Sequence, residues 1–555
     1  MTIKHQDISL GEAMEAIAPR DRHLIRALFT LSLAALFLGL FMGLWAAMAR
    51  NGIARPELPE TGYRVLTMHG VAVFFHWLSL AQGALLLVLA AKERRAPLAL
   101  NGLGWAGGAL MLIAFALQAT GTLSGTPLLY DGSPELAGEE RLGAFLFYLG
   151  YLVQALGLAA LTMPAIATLM AAKRSRGGEW SGPGFGAVLW GGLVLVSAAT
   201  LANAFLPAAL WAAGWEEFPA DHVTLWHVLF HNMHYLPLLG AMLAWTLLLP
   251  EISGARSVFG SNFSKIVFTL YLVFVPPTSL YHMFLEPGLD PLVLVLGSLL
   301  SLFIGVPTIA AFLVTTASLE AHARAKGAKG WFGWIRSLDW SDPATNALGA
   351  AVVNLALGGI LAFVLIQEKL AGLLSDTFFV PGAFHFITLG VVTMTLLAVM
   401  LRLLPHLTGQ NAPAPKLLSR LPWLITAGLL LFGLAGAAAG AQGMPRRVLD
   451  AGYEGAAPVA WTMLSQIIGA GAAVMAVGLV LLTLGAALPL VGLGRKAIRA
   501  KTALAPAPEP LALRQAAWGG STSVAFLLFL MGAATWAAFT LMTSLPVIAG
   551  GAAGH

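Results

Sequence analysis

The chain has 555 residues, 58% of them hydrophobic and only 10% charged, with a mean hydropathy of +0.80 and a formal net charge of +5. No soluble domain of this size carries such a balance, so the composition excludes a water-soluble enzyme or nucleic-acid binder and describes a polytopic membrane protein. The absence of cysteine rules out disulfides, thiolate metal centres and covalently attached c-type haem within the chain.

Apolar runs of spanning length predict an all-α integral membrane protein with about thirteen transmembrane helices. They lie near 24–48, 65–91, 103–123, 142–172, 184–213, 222–250, 265–285, 292–320, 344–366, 377–404, 419–440, 457–487 and 520–548. A charged arm, residues 1–23, precedes the first span and no small-residue cleavage site follows a short apolar core, so that span is expected to be retained. Basic residues concentrate in the arm and in alternate loops, among them Lys92 to Arg95, Arg324 to Arg336 and Arg495 to Lys501. The other loops hold carboxylates such as Asp131, Glu216, Glu217, Asp221 and Asp376. The positive-inside rule then places the N-terminus in the cytoplasm and, with an odd number of spans, the C-terminus outside. The whole of 1–555 reads as one transmembrane domain with inner loops 321–343 and 488–519. Trp331, Phe332, Trp334, Ile335 and Trp340 of the first loop are expected to anchor it at the interface.

Thirteen histidines are present. His5, His23 and His555 fall in the tails and His322 among inner-side charges, where solvated rings are expected. Nine others, His69, His76, His222, His227, His231, His234, His282, His385 and His406, fall within or at the edge of spans. Ionisable side chains in hydrocarbon need cofactors or polar partners. His69, His231, His282 and His385 come from four spans at similar depth in the outer half of the bilayer, the distribution that a haem or metal site between helices requires. His227, His231, His234 and Tyr235 form a stripe on one face of span six, able to line a metal site, a polar cavity or a proton path, or to satisfy one another without any metal.

Several motifs together resemble subunit I of the heme-copper oxidases, in the B-type (ba-type cytochrome c oxidase) branch. They are Leu66-Thr67-Met68-His69-Gly70, His231-Asn232-Met233-His234-Tyr235, Tyr281-His282-Met283-Phe284-Leu285-Glu286-Pro287-Gly288, Val380-Pro381-Gly382-Ala383-Phe384-His385, Leu404-Pro405-His406-Leu407-Thr408-Gly409 and Pro445-Arg446-Arg447. The resemblance implies a low-spin haem, of b type, ligated by His69 and His385, with its propionates held by Arg446 and Arg447. It also implies a copper ligand at His231 and at His282, and in Tyr235 the tyrosine that serves the family as proton and electron donor.

The chain departs from that pattern where the family reduces oxygen. Ala383 stands where the ligand of a second, high-spin haem belongs, and a methyl group cannot ligate iron. Tyr281 stands where the first histidine of a copper-binding pair belongs, so that any residual metal site would be built from His231, Tyr281 and His282. Met242 and Ala311 replace hydroxyl groups of the expected proton route, while Thr246 and Thr308 keep theirs. The leading expectation is therefore a haem-binding electron-transfer subunit of the prokaryotic inner membrane whose haem-copper centre is lost. Its electron partner would be a periplasmic redox protein, a cytochrome c or a CuA-type subunit II, or a quinone. The alternatives are an active terminal oxidase or nitric-oxide-reductase-like enzyme, with a replacement ligand from His76, His227 or His234, and a scaffold without cofactors.

Overall fold

The computed structural model describes residues 9–51, 53, 59–124, 129–132, 141–175, 179–255, 257–276, 290–330, 332–450, 453–497 and 525–541. Ten helices among them are long and apolar enough to cross a membrane: α2 (Pro19–Arg50), α3 (Glu60–Arg94), α4 (Asn101–Ser124), α5 (Arg141–Ser175), α6 (Gly182–Ala212), α7 (His222–Ser253), α12 (Pro343–Leu365), α14 (Phe379–Thr408), α15 (Pro415–Ala441) and α16 (Val459–Leu490). Each matches an expected span, because in hydrocarbon only a helix closes all of its own backbone hydrogen bonds. The expected spans 265–285, 292–320 and 520–548 overlap α8 (Gly260–Phe274), the pair α9 (Pro291–Phe303) and α10 (Gly305–Ala325), and α17 (Ala525–Leu541), none of which is among the ten, and residues 277–285, 520–524 and 542–548 of those ranges lie outside the described residues.

Burial separates central helices from peripheral ones. In α3, 94% of the apolar stretch is buried, in α7 83% and in α14 78%, against 33% in α4, so α3, α7 and α14 form the middle of the bundle and α4 faces outward. Two of these three central helices contain a π-helical stretch: π1 (Val71–Trp77) within α3 and π2 (Phe386–Thr393) within α14. Such stretches are rare and concentrate at functional positions. Nothing in the residue pattern announced them.

The arm before the first span is packed against the bundle. Ser9 and Glu12 close a capping box on α1 (Leu10–Ala16), whose Leu10, Ala13 and Met14 are buried, and the Leu10 amide donates to Glu251 Oε1 of α7 at 2.7 Å. Asp21 is fully buried, accepting from the Leu98 amide and from Asn101 Nδ2 at the start of α4. His23 is exposed as expected. His322 is not: α10 continues to Ala325, past the expected boundary, and carries the ring into a buried position, 7% exposed. In the 321–343 loop a short helix, α11 (Gly333–Arg336), turns Trp334 onto Leu249 and Leu319, so this tryptophan packs inward as well. At the same end of the bundle, Gln410–Asn411 after α14 pairs antiparallel with Arg495–Lys496 after α16.

Candidate haem-binding site

His69 lies two residues before π1 and His385 directly before π2. His69 Nδ1–H donates to the Gly39 carbonyl of α2 at 2.7 Å, and His385 Nδ1–H donates to the Pro381 carbonyl one turn back in its own helix, also at 2.7 Å. A carbonyl can only accept, so both bonds fix the same tautomer and leave Nε2 with a lone pair. This is the form in which an imidazole ligates a metal, with its other nitrogen anchored behind it. Each ring is half-buried, and the two are close enough to act on each other electrostatically.

The space for His69 is provided by α2. A Cβ on Gly43 would lie 2.6 Å from His69 Cε1 and 2.7 Å from Nδ1, so only glycine leaves the ring its place. Gly39 and Gly43 form a Gly-x-x-x-Gly pair, the small-residue signature of close helix approach, which was available in the sequence as the signal for this cradle. Gly43→Ala is expected to displace the imidazole, break its bond to Gly39 and cost about 1–3 kcal/mol by overpacking. A lowered unfolding midpoint together with a reduced haem content checks this.

On α14, Gly382 brings the backbone against α15. A Cβ there would meet the Gly433 carbonyl at 2.7 Å, and the His385 ring packs on Phe432 of the same helix with centroids 4.8 Å apart. Ala383 is 3% exposed and belongs to an apolar cluster with Val364, Leu370, Leu374, Phe379 and Ala437, covered by Ala534, Ala538 and Phe539 of α17. Its methyl is surrounded by hydrocarbon.

The arginine pair sits beside the entry of α14. The Phe378 amide bonds the Met444 carbonyl at 2.7 Å, and the Arg446 amide bonds the Asp376 carbonyl at 3.1 Å, which ties the turn to the helix that carries His385. Arg50 at the end of α2 holds the same turn from below, donating to the carbonyls of Pro445, Arg446 and Val448. Arg446 pairs with Asp376 at 2.8 Å and Arg447 with Asp131 at 2.9 Å. Burial works against the Arg447 charge, but Tyr130 and Asp131 outweigh it and hold the guanidinium above its ordinary pKa. The Nε atoms of both arginines are buried and have no hydrogen-bond partner among the described residues. Buried orphan donors on a pair of guanidinium groups suit a carboxylate-bearing group such as a haem propionate. The residues present fit a bis-histidine haem.

The remaining histidines divide. His76 Nε2 bonds Gln118 Oε1 at 2.7 Å, which commits that nitrogen to a buried amide. His222 Nε2 donates to the Asp131 carbonyl at 2.9 Å and so supports the partner of Arg447, a role the sequence did not suggest. On α7, His231, His234 and Tyr235 do share a region, with Tyr235 ring centroids 6.1 Å from His231 and 5.1 Å from His234. His234 meets Phe384 edge-on at 4.5 Å, away from the cluster around Ala383. Tyr281 and His282 lie outside the described residues, as does the His227 side chain, so the expected residual metal pocket is described only on its α7 side. Met242 is buried, Thr246 Oγ turns back to the Leu243 carbonyl, and Thr308 bonds the hydroxyl of Tyr271 at 2.7 Å. Tyr271 was not anticipated as part of that region.

Comparison with known proteins places this arrangement in a lineage. The chain is 29% identical over 430 residues to cytochrome c oxidase subunit 1 of Thermus thermophilus, covering 74% of each. It is 25% identical over 464 residues to a probable cytochrome c oxidase subunit 1-beta of Nocardia farcinica, covering 78% of this chain and 73% of that one. Its fold matches a solved heme-copper terminal oxidase dimer with a TM-score of 0.78 at 21% identity, over 92% of each chain. Ten spanning helices and prokaryotic relatives of this kind make it a multi-pass protein of the inner membrane. The family described as Cytochrome C and Quinol oxidase polypeptide I matches residues 23–474, and the chain belongs to it as a cytochrome c oxidase subunit I-like member of the heme-copper oxidases.

Proposed function

We propose that this chain is a membrane electron-transfer subunit that holds one low-spin haem, of b type, between His69 and His385 and no longer reduces oxygen at a haem-copper centre. The observation that carries the reading is the contrast within one helical turn of α14. His385 presents Nε2 with Nδ1 anchored, whereas Ala383, where the iron ligand of a second haem would be expected, is a methyl group packed among Val364, Leu370, Leu374 and Phe379. Bound haem supplies reversible one-electron transfer at the iron, and the protein sets its ligation, burial and propionate contacts. Arg446 and Arg447 would hold the propionates at the end of the bundle that the charge distribution assigns to the outside. The partner is then a periplasmic redox protein or a CuA-type subunit, because the chain has no cysteine with which to build such a donor itself.

The other reading, an active terminal oxidase or nitric-oxide-reductase-like enzyme that uses Tyr235, needs a substitute iron ligand and a metal held by His231, Tyr281 and His282. His76, one of the candidate substitutes, has its Nε2 committed to Gln118. The test is a pyridine haemochrome assay with metal analysis, followed by reduced spectra with and without carbon monoxide. One low-spin haem per chain, no stoichiometric copper and no carbon monoxide response is the expected result. Two haems with a carbon-monoxide-sensitive fraction and one copper would establish the other reading.

A further inference from the structure

The two π-helical stretches are joined to each other. Trp77, the last residue of π1, donates from Nε1 to Thr393 Oγ1, the last residue of π2, at 3.0 Å, and both side chains are buried. Thr393 Oγ1 in turn donates to the Thr388 carbonyl five residues back, one π turn, and Thr388 Oγ1 donates to the carbonyl of Phe384, the neighbour of His385. On its other side π1 is held by a buried amide chain. Gln154 Nε2 donates to the Phe75 carbonyl at 2.7 Å, Gln118 Nε2 donates to Gln154 Oε1 at 3.1 Å, and His76 closes onto Gln118. Three consecutive residues of π1, Phe75, His76 and Trp77, are thus each tied to a different helix.

A π turn holds one more residue than an α turn, so it rotates everything on its N-terminal side relative to the helix that follows. Here those N-terminal sides carry His69 and His385. A π segment that slipped back to α geometry would turn its histidine about the helix axis. A bond between the two segments makes such a slip costly, because it would leave a buried indole N–H or hydroxyl without a partner.

We propose that the Trp77–Thr393 hydrogen bond is a positioning device that locks the two π turns together and thereby sets the angle between the His69 and His385 imidazole planes. Trp77 and Thr393 act through the histidines. This rests on the bis-histidine haem reading. A matched control is built into the fold: Trp245 Nε1 donates to Thr395 Oγ1 at 2.9 Å, the same chemistry two residues further along α14 but outside the π stretch.

The test is electron paramagnetic resonance and redox titration of the haem-loaded full chain, since the g-value spread of a low-spin ferric haem reports the angle between its two axial ring planes. Trp77→Phe and Thr393→Val are each expected to shift the largest g value and the reduction potential in the same direction, and the double variant no further than the larger single shift. Thr393→Ser, which keeps the hydroxyl, and Trp245→Phe are expected to match the wild type. Should Thr393→Val not fold, Trp77→Phe against Thr393→Ser decides the same point. Unchanged g values and potential in Trp77→Phe, or an equal shift in Trp245→Phe, overturn the lock while leaving the haem reading intact. A wild type without any low-spin signal overturns both, and does so before a single substitution is made.

Discussion

Replacing His385 by alanine is expected to abolish the low-spin haem signal, with haem content falling at least several-fold, and His69→Ala is expected to do the same. The two imidazoles are the groups whose Nε2 atoms the fold keeps available within reach of each other, since Nδ1 of each is spent on a backbone carbonyl. Removing either would leave a bound haem with one protein ligand, and water in place of the other is too weak a ligand to sustain the low-spin state, irrespective of how much haem remains. His234→Ala is the informative companion. Its ring lies against Phe384, close to His385, yet the haem reading gives it no bond to iron, so the low-spin spectrum should survive it. Loss of the signal in His234→Ala together with its retention in His385→Ala would assign the ligands differently and sink the proposed site.

How much of this could be read from the chain depends on how local each determinant is. The spans were legible because spanning helices announce themselves by continuous hydropathy, and the observed ends of α4, α5, α6 and α16 fall within three residues of the expected ones. His69 and His385 stood out as candidates because an imidazole in an apolar run is conspicuous. Their anchors were not: Gly39 is thirty residues from His69 along the chain, and a backbone carbonyl has no signature in sequence. The same holds for Arg447 and Asp131, 316 residues apart. The π turns escaped because one added residue in a helix that is apolar on nearly every face disturbs no periodicity. His322 was misplaced for a related reason, since a helix that carries charges past the bilayer edge reads as a loop when hydropathy alone sets the boundary.

Ala383→His is expected to destabilise the protein and to leave it without a second haem. The position is 3% exposed and in contact with an apolar cluster drawn from α12, α14, α15 and the short helix α13 (Glu368–Leu374), so an imidazole has to displace its neighbours. Overpacking costs roughly 1–3 kcal/mol, and a buried ring nitrogen without a partner adds roughly 1–3 kcal/mol. Ala383→Val separates the two contributions, since it adds bulk without a polar atom and should show only the packing loss. Unfolding midpoints of the three proteins, followed by carbon monoxide difference spectra after reconstitution with haem, make the comparison. A stable Ala383→His variant that acquires a carbon-monoxide-binding haem would mean that a cavity for a second haem is present with only its ligand missing. A destabilised variant with no such signal means that the packing of α14 against its neighbours leaves no room for a second haem at the methyl group, and it supports the proposed loss of oxygen chemistry independently of the missing imidazole.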